Sequence, residues 1–221
     1  MPHASPRPAA SPPTALSAFL RGIERRAWVL ALAQCGQPAR ARAAVGETLR
    51  AFRQIAVATP LSAWPASFWS LLLAQPELAQ GRPALRELAA LADGPRIALL
   101  LRLIAGLDAA HAAQVLGLDE AAYRQASQRA LQQFGEAGFS YTDLAALRER
   151  LHQQVKSLPA ADLSVLAELH QQALSDVPAS AAIAEAASPW PRSLAWSGLA
   201  ALMLAFAASF LPQAERILPP P

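Results

Sequence analysis

Apolar residues along this chain recur at intervals of three and four rather than two. Behind Thr14, whose hydroxyl suits an N-cap, Leu16, Phe19, Leu20, Ile23, Ala27 and Leu30 or Ala31 make one stripe, which breaks at Gly36-Gln37-Pro38. A second helix is predicted from about Ala39, with Val45, Leu49, Phe52 and Ala56 inward and Arg42, Arg50 and Arg53 on another face, ending at Pro60. Pro65 fits the first turn of a third helix, where its missing N–H costs nothing; that helix runs from Ala66 to Ala79. Residues 76–83 read as a loop, followed by a short helix from Pro83 to Ala92. Asp93 then reads as the cap of a helix that buries Ile97, Leu100, Leu101 and Ile104 and stops at Gly106. Two later helices are predicted, from Thr142 to Ser157 and from Pro159 to Ser175. Val, Ile, Thr and Tyr are scarce beside Ala and Leu, so the fold class is all-α.

The segment between Asp108 and Leu131 has a pattern of its own. Asp108 caps AAHAAQVL, Gly117-Leu118 makes a turn, and Asp119 caps a longer helix, EAAYRQASQRALQQF. Ala113 is small where a second helix would cross the first, Gly117 four residues later lets the backbone turn, Leu116 and Leu118 flank it, and Tyr123 follows six residues on as a buried side chain. This is the spacing of a helix-turn-helix, although a generic helical hairpin also satisfies it. On that register the second helix enters a major groove by its N-terminal half. Ala122, Arg124, Gln125, Gln128 and Arg129 are then the DNA-contacting residues, Arg suiting phosphate or guanine and Gln adenine.

Further on, Leu194 to Leu211 carries no charge in 18 residues, bracketed by Pro191 and Pro212. At about 1.5 Å per residue such a run covers most of a hydrocarbon core of about 30 Å. Leu194, Trp196, Leu199, Leu202, Leu204, Phe206 and Phe210 are its anchoring side chains, with Trp190 and Trp196 suited to the membrane interface. The competing reading is a buried core helix, which the lack of any polar face disfavours. Arginines on both flanks leave the orientation open. Exporting only the short tail 212–221 is the economical solution, which leaves the N-terminal part in the cytoplasm.

Charge and chemistry add less. From Arg7 to Arg53 there are eight arginines against Glu24 and Glu47, a basic stretch suited to nucleic acid, acidic lipid or an acidic partner, or else a solvated helix face. Trp64, Phe68 and Trp69 make the densest aromatic cluster, read as core or as a platform for unpaired bases. Cys35 is alone, and the four histidines share no metal-ligand spacing. No phosphate-binding glycine loop or nucleophile turn is present, and Glu24, Glu47 and Glu87 read as surface charges, so no catalytic residue, cofactor or metal is expected.

The stretch from Arg96 to Leu131, RIALLLRLIAGLDAAHAAQVLGLDEAAYRQASQRAL, resembles the C-terminal promoter-recognition region of bacterial sigma factors of the extracytoplasmic-function type. More faintly, Gly46 to Arg53 and Pro60 to Trp64 resemble that family's Gln-Glu-x-Phe-x-Arg-Ala-Trp and Pro-Phe-x-x-Trp segments, in the same order. Where the family carries an acidic polymerase-contacting run, Ala39 to Ala44 here is basic and small; Ala126 and Ser127 stand at positions commonly basic and leucine. The resemblance implies promoter DNA and core RNA polymerase as partners.

The expected organisation is a disordered 1–14, a region-2-like helical domain over 15–80 and a region-4-like helix-turn-helix domain over 81–138. A helical extension over 139–176, a linker over 177–192, a transmembrane helix over 193–211 and a short tail over 212–221 follow. The function expected is a membrane-tethered, sigma-like transcription regulator in the bacterial inner membrane, single-pass, with its N-terminal domain cytoplasmic. The alternative is a degenerate sigma-like scaffold that docks a regulatory protein partner at the membrane without binding DNA.

Overall fold

The computed structural model describes residues 12–175, all of it helix, turn or loop. The expected linker, the anchor from Leu194 to Leu211, the tail and most of the expected disordered N-terminus lie outside the described residues. Among the described residues no helix is long and apolar enough to cross a membrane.

Helix α1 spans Pro12–Cys35 and starts before the expected cap, so Thr14 lies inside its first turn. Leu16, Leu20, Ile23, Ala27, Leu30 and Ala31 are buried, and Phe19 is half-buried. From Ala27 to Ala31 every residue is buried, the mark of a helix surrounded on all sides. Helix α2 (Pro38–Ala56) packs along it, and a single 3-10 turn, Leu61–Ala63, leads into α3 (Trp64–Leu73). Trp64, Phe68 and Trp69 point inward, where Phe19, Phe52, Trp64 and Phe68 stack edge-on or tilted with ring centroids 5.2–6.0 Å apart. The aromatic cluster is therefore core, each such pair adding about 0.5–1.5 kcal/mol beyond burial. It offers no open ring face for a base.

The expected loop contains a one-turn helix, α4 (Pro76–Ala79), and the expected helix from Pro83 to Ala92 shrinks to α5 (Arg86–Ala89). Helix α6 spans Asp93–Leu100 and continues as a π turn, Leu101–Ala105, ended by Gly106 in the left-handed region at φ 72°. Asp93 is not a cap. The cap position is Ala92, and the Asp93 carboxylate pairs with Arg96. Arg96 is almost fully buried, and it also donates to Gln34 Oε1 and to the Leu91 carbonyl, each at 3.0 Å. One guanidinium thereby joins α1 to the start of α6. Burial pulls the Arg96 pKa down, and Asp93 offsets part of that.

Helices α7 (Ala109–Leu116) and α8 (Glu120–Glu136) pack on α3 and α6, and Ser70 Oγ donates to the Val115 carbonyl at 3.0 Å. The core is thus continuous across residues 80–81, from Leu16 to Ala173. Ser140 and Asp143 form a capping box at the head of α9 (Tyr141–Lys156), one residue before the expected start. Helix α9 lies on α1 and the π turn, and α10 (Ala160–Ser175) runs back over α1 and α2. Leu166, Leu169 and Ala173 seal that contact; a Cβ at Gly46 would sit 2.9 Å from Leu169 Cδ2, so α10 approaches α2 where α2 has no side chain.

Candidate nucleic-acid interface

Local sequence builds the α7–α8 hairpin. Asp108 accepts the His111 amide at 2.9 Å and its ring Nδ1 at 2.7 Å; the amide bond, then the ring bond, hold the carboxyl below its usual range. Gly117 ends α7 at φ 64°, and the Leu118 amide reaches back to the Ala113 carbonyl at 3.0 Å. A side chain at Gly117 would force an L-residue into the left-handed region, which costs roughly 1–2 kcal/mol. Asp119 then caps α8 by accepting the Ala122 amide at 2.7 Å.

Ala113 and Leu116 are buried, Leu118 is half-buried, and Tyr123 is buried with its hydroxyl donating to the Ala98 carbonyl at 3.1 Å. Burial raises the Tyr123 pKa, so the phenol keeps the proton it donates. Tyr123, Ala126, Ala130 and Phe134 give α8 one buried face.

The opposite face carries Arg124, Gln125 and Gln128, all exposed. Ala122 and Arg129 are only half-buried neighbours of that face, and Arg129 already interacts within the chain. Ala126, at the position commonly basic in the sigma-like pattern, is fully buried, so a long cation would not fit there without moving α8. Arg124 pairs with Glu120 at 2.6 Å. From Asp119 to Glu136 three acids stand against two arginines, so the helix carries one net negative charge. Acids in the first turn suit the helix dipole and oppose a phosphate backbone.

The basic residues of α2 are exposed or half-buried, and each already has a partner within the protein. Arg42 pairs with Glu168 at 2.8 Å, and Arg53 donates to the Ala173 carbonyl at 2.8 Å, both on α10. Arg50 pairs with Glu47 at 2.6 Å, and Arg40 bonds Gln37 and Gln80. On α1, Arg21, Arg25 and Arg26 are exposed.

Two carboxylates read from the sequence as surface charges are tertiary contacts. Glu87 binds Arg150 at 2.7 Å with its own side chain only 14% exposed. Glu24 meets His170 Nδ1 at 3.0 Å, and His170 Nε2 lies 3.2 Å from Ser17 Oγ. Serine, histidine and carboxylate stand in the order of a hydrolytic triad. Ser17, however, is inside α1, where backbone N–H groups are committed to the helix and none is left to hold an oxyanion. The chain of bonds fastens α10 to α1. No sequence signal pointed to it, because its members are 146 and 153 residues apart. Among the described residues no three His, Cys, Asp or Glu side chains converge on a metal position.

Compared with protein-family models, with curated proteins and with solved structures, the chain matched none.

Proposed function

We propose that this protein is a membrane-tethered, sigma-factor-like transcription regulator that contacts DNA through α7 and α8. The observation that carries the reading is the rigid presentation of the N-terminal half of α8. Two Asp caps, the left-handed Gly117 and the buried Tyr123 fix the hairpin, and Arg124, Gln125 and Gln128 project from its open face. The Glu120–Arg124 pair is exposed and worth only about 0.3–0.5 kcal/mol, so a phosphate displaces it readily. The tether is the uncharged run from Leu194 to Leu211, with the helical body cytoplasmic.

Duplex binding by the full chain, followed across a salt series, tests this. Binding should weaken steeply with salt, and Arg124→Ala combined with Gln128→Ala should lower affinity at least about tenfold. Absence of duplex binding at low salt overturns it. Reporter fusions at both ends, scored in membrane fractions, test the tether.

A second reading rests on α10. It covers the α2 face that carries Gly46, and Arg42 and Arg53 are spent on it. This favours a sigma-like scaffold that acts as a membrane-anchored protein-interaction module. Co-purification of core polymerase together with promoter DNA would sink that alternative.

A further inference from the structure

Between the π turn, α8 and α9 runs a groove made of two adjoining clefts, about 700 and 720 Å³ in volume, which share Arg102, Leu103, Arg148 and His152. Each is within the range of about 300–1,000 Å³ usual for small-molecule sites. The second cleft adds Arg26 from α1 and Lys156 from the end of α9. Arg148, His152 and Lys156 stand four residues apart, one stripe of α9. Three separate elements therefore deliver Arg26, Arg102, Arg148 and Lys156 to one concave surface.

These cations differ from those elsewhere in the fold. Arg42, Arg50, Arg96, Arg124 and Arg150 each have a carboxylate within reach; the four in the groove have no ion pair among the described residues and, unlike the other arginines without one, such as Arg21 and Arg25, they line one cleft together. Two acids line the groove: Asp108 is occupied by the amide and ring of His111, and Glu149 accepts from Gln153 Nε2 at 2.6 Å. Like charges gathered in a concavity with apolar walls raise the local potential for an anion. The π turn that carries Arg102 is itself a local departure of the kind that recurs at functional sites.

The adjoining cleft supplies the other half of a site. Leu131 and Tyr141 stand 42% and 84% exposed at its rim, beside Leu144. A cationic end and an apolar, aromatic end meet at Arg102 and Arg148. The cations come from three elements around one concave cleft, which fits a compact ligand better than a nucleic-acid strand.

We propose that this groove binds a nucleotide: its phosphates among Arg26, Arg102, Arg148 and Lys156, its base against Leu131, Tyr141 and Leu144. The site is separate from the DNA face proposed above, which uses Arg124, Gln125 and Gln128.

Titration of the full chain with ATP, with inorganic pyrophosphate and with a short DNA duplex tests the assignment. ATP should bind at one site per chain, and pyrophosphate should compete with it. Arg102→Gln with Arg148→Gln should weaken ATP at least about tenfold, and Lys156→Gln should weaken it independently. Arg25→Gln, an exposed charge outside the groove, should leave it unchanged. Tyr141→Ala should weaken ATP and spare pyrophosphate. The Arg124→Ala, Gln128→Ala variant should keep its ATP affinity, so this site and the DNA face fail separately. Absence of ATP binding overturns the proposal, as does full affinity in both groove variants. Loss of duplex binding in those variants, with no ATP binding by the parent, reassigns the groove to nucleic acid and overturns it too.

Discussion

Helices α8 and α9 border the same groove and treat charge in opposite ways. Helix α8 neutralises its own: Glu120 holds Arg124 one turn away, and the segment as a whole is slightly acidic. Helix α9 aligns Arg148, His152 and Lys156 on one stripe, and the fold adds Arg26 and Arg102 beside them. The first arrangement is local and was visible as a motif. The second exists only because three distant segments converge. The helix-turn-helix spacing therefore marks the face proposed to read DNA, while the larger gathering of cations lines the groove between the π turn and α9.

The largest effect that would break this comparison is at Tyr123. Tyr123→Ala should cost about 3–5 kcal/mol in urea unfolding and abolish any duplex binding with it, because the ring is the buried peg under α8. Tyr123→Phe should cost only about 1 kcal/mol, the net value of its bond to the Ala98 carbonyl. Next in size is Gly117→Val, expected to lose roughly 1–2 kcal/mol through left-handed strain alone. An unchanged midpoint would mean that the Gly117 turn does not fix the hairpin.

Glu120→Gln sharpens the contrast between the two helices. It releases Arg124 and removes an acid from the reading face, so duplex affinity at low salt should rise several-fold while stability falls by only about 0.3–0.5 kcal/mol. A fall in duplex affinity would argue that α8 does not meet phosphate.

The smallest effect concerns acid. Burial pushes the Glu87 carboxyl up, but its backbone hydrogen bond and then Arg150 outweigh this and hold it below its ordinary value of 4.5. A lowered folded pKa means stability that is fully present above 4.5 and lost as pH falls through the folded value. Arg150→Gln should flatten this acid limb by lowering the neutral plateau slightly, and leave stability below the folded pKa nearly unchanged.

Legibility followed distance along the chain. Gly36, Gly106 and Gly117 marked helix ends because a left-handed residue is a local requirement. Asp108 and Asp119 were readable as caps because the amides they accept lie three residues ahead. Asp93 looked the same and was not a cap, since the buried Arg96 beside it claimed the carboxylate. The stripes of α1 and α2 were likewise readable from spacing. Glu87 was misjudged as a surface charge because its partner, Arg150, is 63 residues away.

The sequence by itself determined an all-helical fold across the described residues, most of the stops between its helices, and the capped hairpin. Each follows from periodicity or from a bond spanning a few residues, and neither needs a distant partner. The tertiary structure alone decided that α10 closes over α2, that Ser17, Glu24 and His170 share one chain of bonds, and that four cations from three elements face one groove. Those outcomes depend on which helix faces come to lie against each other, and burial across the whole core sets that choice rather than any short stretch of sequence.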